Sequence, residues 1–282
     1  MWRVADGKQV AAMPAKGTSK CVTTSNDGRW IGAGSSEVTL AAGDVFVWDA
    51  TTYERVFAEK IEFIYDVDFS PDSTRLVSAT CSCSVTVWNI AARQEVQTLH
   101  GYGLTAKYSP QGDRIATACF NSVQVWDSND GCLLVDVKVP VKWQCGLLWC
   151  KNHLFVQTDH SEIKQINAAT GSTISEWSVP DAHWPCIALP QHGKFIACSA
   201  RKIITVWDTA ANAQLGLIQH THDLRSIACS SDGQLLATAL DTKIIVKDLP
   251  SVIFRSLSVR FTPSSIHLYY IPVSPHVAGT RT

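Results

Sequence analysis

Cysteine and histidine are the candidates for metal or nucleophilic chemistry in this chain, which contains ten cysteines and nine histidines. Cys81 and Cys83 lie two positions apart, and Cys145, Cys150 and His153 share one short region. Neither group has the paired two- or three-residue spacing of a structural zinc site. Residues 145 and 150 are five positions apart, so they would face opposite sides of a regular strand. The sequence therefore predicts no metal centre and no cofactor.

Short catalytic motifs are also missing from the sequence. It contains no G-x-S-x-G nucleophile elbow, no phosphate-binding loop, no H-E-x-x-H motif and no dinucleotide fingerprint. Cys119, Cys198 and Cys229 stand in apolar runs, where a thiol serves as a small hydrophobic side chain. We therefore expect that the protein is not an enzyme and that its function rests on non-covalent contacts.

The composition is sufficient for one large core, because 46% of the 282 residues are hydrophobic and 17% are charged. A formal net charge of -1 gives no electrostatic reason to expect nucleic acid or a membrane surface as a partner. No apolar run approaches the roughly 18 residues of a membrane-spanning helix. Scattered cysteines and the lack of a secretory signal favour a cytoplasmic protein, with a nuclear location left open.

A repeat with a period near 40 residues organises the chain. Its clearest unit runs from Ser109 to Asp127, where a turn and two short strands end on a Trp-Asp pair. The equivalent pairs recur every 38 to 41 residues, at Trp48-Asp49, Trp88-Asn89, Trp126-Asp127, Ile166-Asn167, Trp207-Asp208 and Lys247-Asp248. A fixed period of this length indicates stacked similar units rather than two unlike domains.

Each unit is predicted to contain four short strands. In the third unit these are Leu104–Tyr108, Arg114–Cys119, Ser122–Trp126 and Leu133–Lys138. The second strands are apolar or small throughout, as expected when both faces of a strand are covered. Turn sequences such as Ser-Pro-Asp-Ser from Ser70 separate the first and second strands. Four strands in about 40 residues, repeated radially, predict an all-β β-propeller of four-stranded antiparallel blades.

Trp-Asp pairs, Ser-Pro-Asp-Gly-like turns and a histidine near the start of some units recur in phase over residues 1–248. In these features the chain resembles the WD40-repeat β-propeller family. A tryptophan at the end of a buried strand is expected to pack between adjacent sheets. By the resemblance, His220, Thr238 and Asp241 correspond to a buried hydrogen-bond chain that ends on this tryptophan, although Lys247 replaces the tryptophan here.

The two ends of the chain are expected to close the ring together. The spacing after the last pair is too short for a complete seventh unit. Rings of this family join their chain ends in one shared blade, for which Trp2–Met13 would supply the outer part and Val259–Ile271 the inner part. We therefore predict six complete blades and a composite seventh, in a propeller of residues 1–271 followed by a tail of residues 272–282. A ring of six blades is the alternative.

The resemblance implies a contact surface on one rim, where second-to-third-strand turns and outer-to-inner connections gather. The residues expected there are Tyr102, Phe120, Trp143, His183, Trp184, Arg201, Lys202, His222 and Lys243. Trp143 and Trp184 stand beside prolines, outside the repeated core position. Aromatic side chains near arginine on a rigid surface are typical of protein-contact hot spots. The alternatives are that the two tryptophans plug the mouth of the ring and that Arg201 and Lys202 are merely solvated.

The predicted function is a non-catalytic scaffold whose rigid rim binds other proteins or peptides, with no small-molecule substrate. A stiff ring presents its loops without a large ordering cost on binding. By resemblance such a ring often belongs to a larger complex. Two alternatives stay open: a propeller hydrolase or lyase with polar groups converging at the channel mouth, and a truncated repeat fragment of a larger multidomain protein.

Overall fold

Six antiparallel sheets follow one another along the described part of the chain, five with four strands and the last with three. This computed structural model describes residues 1, 6, 8–15, 17–36, 42–82, 84–101, 103–141, 146–160, 162–179, 186–191, 193–240 and 243–249. Within each sheet the strands are ordered in space as they are in sequence, so each sheet is a meander. Within those residues, no helix has the length and apolar character required to cross a membrane.

The first three sheets, or blades, end before residue 139. The strands of the first blade are β1 (Thr18–Thr24), β2 (Trp30–Ser36), β3 (Gly43–Asp49) and β4 (Arg55–Ile61). Those of the second are β5 (Ile64–Phe69), β6 (Arg75–Thr80), β7 (Val85–Asn89) and β8 (Gln94–Leu99). Those of the third are β9 (Thr105–Tyr108), β10 (Arg114–Cys119), β11 (Ser122–Asp127) and β12 (Leu133–Lys138).

The other three blades follow in the same pattern. The strands of the fourth blade are β13 (Leu147–Cys150), β14 (His153–Gln157), β15 (Glu162–Asn167) and β16 (Thr173–Ser178). Those of the fifth are β17 (Ile187–Ala188), β18 (Phe195–Ala200), β19 (Ile203–Asp208) and β20 (Ala213–Gln219). Those of the sixth are β21 (Ser226–Cys229), β22 (Leu235–Ala239) and β23 (Ile244–Asp248).

The inner strands of successive blades lie against one another, from β1 and β5 through to β17 and β21. Successive blades also pack face to face around buried apolar clusters. The prediction of an all-β β-propeller with four-stranded antiparallel blades is therefore confirmed. β21 and β1 are not among the closely packed strand pairs of the described residues, so these six blades form an open array.

The predicted strands of the third blade agree with the structure to within one residue. β10 and β12 have the predicted bounds, β9 begins one residue later than predicted, and β11 extends one residue further, to Asp127. The predicted seventh blade is not seen in the described residues, because none of Val259–Ile271 and only part of Trp2–Met13 belongs to them. The boundary at residue 271 likewise lies outside them and stays a prediction.

A serine side chain stabilises the turn between the first and second strands in the first, second and sixth blades. In the second blade the amide of Arg75 donates to Ser70 Oγ over 2.9 Å, and Ser70 Oγ donates to the Asp72 carboxylate over 2.6 Å. The same pair of bonds occurs at Ser25 and Ser230. A short polar side chain that bonds the local backbone stabilises such a turn, which accounts for the recurrent Ser-x-Asp sequence.

Trp88, Trp126 and Trp207 pack between blades, as predicted. Trp126 is 5% exposed and contacts the face of the second blade that carries Val85 and Val87. Its Nε1 donates to Thr117 Oγ1 over 3.0 Å, so burial leaves no polar atom of the ring unsatisfied. A Cβ at Gly101 would overlap this indole ring, which explains why glycine follows the outer strand there.

Replacing Trp126 by alanine is expected to lower the free energy of unfolding by about 3–5 kcal/mol, because it opens a cavity between two blades. Urea denaturation followed by circular dichroism measures the loss. Leu133→Ala is the matched control, because Leu133 is 47% exposed on β12 and should change stability by less than about 0.5 kcal/mol. Equal effects of the two substitutions would contradict the packing role.

Candidate functional site

Five of the nine predicted contact residues belong to the described part of the chain. These are Phe120, Arg201, Lys202, His222 and Lys243, and all five are exposed. The four that lie outside the described residues are Tyr102, Trp143, His183 and Trp184. Each described member occupies a turn between second and third strands or the connection from β20 to β21, which places all five on the predicted rim.

In the fifth blade, the turn between β18 and β19 is bonded to the connection that leaves the blade. The amide of Leu224 donates to the Arg201 carbonyl, and the amide of His220 donates to the Lys202 carbonyl, each over 2.7 Å. Arg201 has a φ of 49°, in the left-handed region that two-residue hairpin turns require. These two bonds fix the backbone under both cationic side chains.

The third blade repeats this arrangement. The amide of Val141 donates to the Phe120 carbonyl over 2.9 Å, and that of Val139 donates to the Asn121 carbonyl over 3.1 Å. Phe120 has a φ of 36°. The third and fifth blades therefore each carry a rim turn that is held by two backbone hydrogen bonds. Phe120 lies two blades away from the turn of Arg201 and Lys202, so it belongs to a separate part of the rim.

Arg201, Lys202, His222 and Lys243 are brought together around His220. The amide of Arg225 donates to the Ala239 carbonyl over 2.8 Å and that of Leu240 donates to the Lys243 carbonyl over 2.9 Å, so the end of β22 and the start of β23 adjoin the connection that carries His220. Burial lowers the pKa of His220, and the positive charges of Lys247 and Lys243 lower it further. His222 belongs to the same connection, and its Nδ1 shares a 2.8 Å hydrogen bond with Thr221 Oγ1. The structure thus joins four of the predicted residues into one basic surface, which we call the basic rim.

The expected hydrogen bond between His220 and Thr238 is not formed, and Asp241, the third predicted member of this chain, lies outside the described residues. The Thr238 hydroxyl donates to the Ile245 carbonyl over 3.2 Å, and His220 Nε2 is buried without a partner. Thr238 holds the position at which Thr117 accepts the Trp126 indole in the third blade. Because Lys247 replaces the tryptophan, no indole reaches Thr238, and its hydroxyl bonds its own sheet.

A buried charge cluster joins the inner strands of the second and third blades. Lys107 Nζ lies 2.9 Å from the Asp66 carboxylate, which also accepts a 2.5 Å hydrogen bond from the Thr105 hydroxyl. The amide of Tyr108 donates to Asp68 over 2.9 Å. Sequence reasoning missed this cluster, although its signal was present: two acids in alternate positions of β5, with lysine and threonine one period later.

Burial raises the pKa of Asp68 to about 6, although the neighbouring Lys107 charge opposes the shift. Both aspartates accept hydrogen bonds from β9, so the cluster acts as a brace between inner strands. Among the described residues, no three Cys, His, Asp or Glu side chains are placed to share a metal ion.

A shallow cleft of about 320 Å³ lies on the opposite rim, between the third and fourth blades. Its lining residues are Ser109, Gln111, Asp113, Arg114, Trp149, Lys151 and Asn152. The indole of Trp149 donates to the Lys151 carbonyl over 2.8 Å. Sequence reasoning missed this tryptophan because it stands in an apolar strand rather than in a proline-containing connection.

The family model "WD domain, G-beta repeat" matches residues 55–89 and 213–248. The chain therefore contains WD40 repeats in these two segments. Each matched segment begins with the outer strand of one blade and ends with the third strand of the next, so the WD40 repeat is offset by one strand from the blade. The family resemblance drawn from the sequence is confirmed.

Two further comparisons agree with the WD40 assignment. WD repeat-containing protein 90 of Homo sapiens is 30% identical over 95 residues, which cover 32% of this chain and 5% of that protein. A chain from the crystal structure of the mitotic checkpoint complex has the same fold, with a TM-score of 0.70 and 19% identity. The match covers 87% of this chain and 82% of that chain.

Replacing Asp68 by asparagine is expected to stabilise the protein increasingly as the pH rises from 4 to 7. The folded-state pKa of about 6 exceeds the ordinary value of 3.8, so the stability that Asp68 contributes is complete below pH 4 and is lost as pH rises through 6. Because Asp68 keeps some solvent contact, we expect a gain of about 1–2 kcal/mol at pH 7.

Urea denaturation at pH 4.5 and pH 7.5 measures this difference. Asp66→Asn is the control, because it leaves the Lys107 ammonium without its carboxylate and should destabilise the protein at pH 7.5. A wild-type-to-Asp68→Asn difference that is the same at both pH values would contradict the assigned pKa.

Proposed function

We propose that this WD40-repeat protein is a non-catalytic scaffold that binds protein or peptide partners through the rim carrying Arg201, Lys202, His222 and Lys243. The observation that carries this proposal is the pair of backbone bonds that hold the Arg201–Lys202 turn on the connection to the sixth blade. A surface that is already ordered loses little conformational entropy on binding, so its contacts contribute more fully to affinity.

The comparisons support protein partners by analogy. A chain with the same fold occurs in the crystal structure of the mitotic checkpoint complex. WD repeat-containing protein 90 extends far beyond the matched segment. Both facts favour a role for this chain within a larger assembly. The inner-strand cluster of Asp66 and Lys107 does not favour the hydrolase alternative, because these groups are bonded to each other.

We also propose a cytoplasmic location, in keeping with the free thiols of the eight described cysteines.

We further propose that a seventh blade closes the ring, from Trp2–Met13 and Val259–Ile271. On β23, Ile244 is 54% exposed and Val246 is 37% exposed. In the first, second, third and fifth blades the equivalent side chains face the next blade and are at most 1% exposed. Those side chains are Val45, Val47, Val85, Val87, Val123, Val125, Ile204 and Val206. The sixth blade therefore has the apolar face of an internal blade and needs a cover.

The first blade supports the same closure from the other side. Trp48 and Phe46 are buried on the face that points away from the second blade, with Met13 and Ala15 packed against them. Val139 and Val141 hold the corresponding place between the third and fourth blades. The segment before β1 thus packs as a connection that arrives from a preceding blade.

If a seventh blade covers β23, then Val246→Ala lowers the free energy of unfolding by about 1–2 kcal/mol, as burial of a valine side chain implies. Val125→Ala is the matched buried control, and Val96→Ala, on the exposed outer strand β8, is the matched exposed one. Thermal and urea denaturation compare the three variants. A cost for Val246→Ala equal to that of Val96→Ala would show that this face is open to water and would overturn the closure.

Affinity capture with mass spectrometry tests the scaffold function. The double variant Arg201→Glu and Lys202→Glu is expected to lose the proteins that the wild-type chain retains, with an unchanged melting temperature. Lys138→Glu, an exposed lysine of β12, is the control and should retain them. An unchanged set of captured proteins for the double variant would refute the proposal that partners bind at this rim.

Trp143→Ala and Trp184→Ala extend the test, since variants that unfold would identify these tryptophans as plugs of the ring mouth.

A further inference from the structure

The cations of the basic rim lack partners within the described part of the protein. There, no side-chain hydrogen bond or ion pair involves Arg201, Lys202 or Lys243, and all three residues are exposed. Asp223, in the connection from β20 to β21, is an exposed carboxylate of the same region. Among the described residues of this region, the three cations thus outnumber this one carboxylate.

Two lysines elsewhere in the propeller form ion pairs with neighbouring acids. Lys138 lies 3.1 Å from Asp136 on β12, and Lys164 lies 3.2 Å from Glu176 across β15 and β16. These pairs consist of residues on one strand or on neighbouring strands. Within the described residues, Arg201, Lys202 and Lys243 make no such pair.

His220 adjoins Lys202 and Lys243 and places a buried polar side chain next to them. Its amide is bonded to the Lys202 carbonyl, and the charge of Lys243 acts on its imidazole. The side chain is 8% exposed, and its Nε2 has no hydrogen-bond partner. Val139 and Val179, which also directly follow an outer strand, are buried apolar residues. A polar side chain without a partner at such a position is costly for folding and is thus a sign of function.

We infer that the basic rim binds an acidic segment of a partner protein, whose aspartate or glutamate carboxylates pair with Arg201, Lys202 and Lys243. This inference rests on the proposed scaffold function and specifies the chemistry of its partner. The guanidinium of Arg201 matches a carboxylate in a two-bond geometry, and the two lysines supply adjacent point charges. Complementary charge of this kind steers association and selects the partner.

An acidic peptide fits the surface better than nucleic acid does. The formal net charge of the chain is -1, and Arg201, Lys202 and Lys243 belong to two adjacent blades rather than to a basic stripe across several blades. A nucleic-acid-binding surface needs an extended row of basic side chains, because each phosphate contact adds only a small, salt-sensitive increment to the affinity. A short run of carboxylates needs only the three side chains present here.

Fluorescence anisotropy with defined probes tests the inference on the full chain. The probes are a fluorescein-labelled peptide of eight glutamates, the same peptide with eight glutamines, and a labelled oligothymidylate of twelve nucleotides. We expect the glutamate peptide alone to bind, and raising NaCl from 50 to 300 mM to weaken its binding by about fivefold or more. The triple variant R201E/K202E/K243E should weaken binding by at least about tenfold.

The charge-matched control is the triple variant K60E/R93E/K138E, which reverses three exposed cations away from the basic rim and should bind the glutamate peptide as the wild type does. Equal binding of the glutamine peptide, tighter binding of the oligothymidylate, or an equal loss in the control variant would overturn the inference. If R201E/K202E/K243E loses captured partner proteins while the glutamate peptide neither binds nor displaces them, the scaffold function stands and the acidic partner is refuted.

Discussion

Face-to-face packing of one blade on the next is the interaction on which the rest of this structure depends. The first five sheets bury apolar side chains on both faces, and where the third strand ends in a tryptophan such as Trp126, the indole fills the space toward the preceding blade. Because the indole nitrogen finds a hydroxyl partner in the neighbouring strand, this large ring is buried without an unsatisfied polar atom. The constraint also explains Gly101, where any side chain would displace the ring.

The sixth blade differs from the others because one of its apolar faces is not covered within the described residues. Ile244 and Val246 continue the pattern of valine and isoleucine seen on β3, β7, β11 and β19, yet they are exposed in the described part of the protein. Transfer of such apolar side chains from water into an apolar environment is favourable, so these two positions are suited to burial. Closure of the ring by the two ends of the chain would satisfy the sixth blade and also cover the face of Trp48.

Polar groups that do not serve packing fall into two kinds in this propeller. Asp66 and Lys107 form an ion pair across an interface between blades, and Asp68 accepts a backbone hydrogen bond across the same interface. Arg201, Lys202 and Lys243 stand on a backbone that is held rigidly but find no partner among the described residues. The groups at the blade interface hold neighbouring blades together, and the cations of the basic rim provide a surface for a binding partner.

The period, the strands, the serine turns and the WD40 resemblance could be predicted from the sequence, because they depend on residues that are near one another in the chain. The bounds of β10 and β12 followed from local pattern alone. Sequence reasoning also assigned Arg201, Lys202, His222 and Lys243 to one rim with Phe120, and the structure sets Phe120 two blades away from the other four along that rim. The contacts of His220 with the Lys202 carbonyl, of Thr238 with Ile245 and of Asp66 with Lys107 became visible only in the folded structure. These contacts depend on how neighbouring strands and blades are set against each other, and local sequence pattern does not specify that geometry.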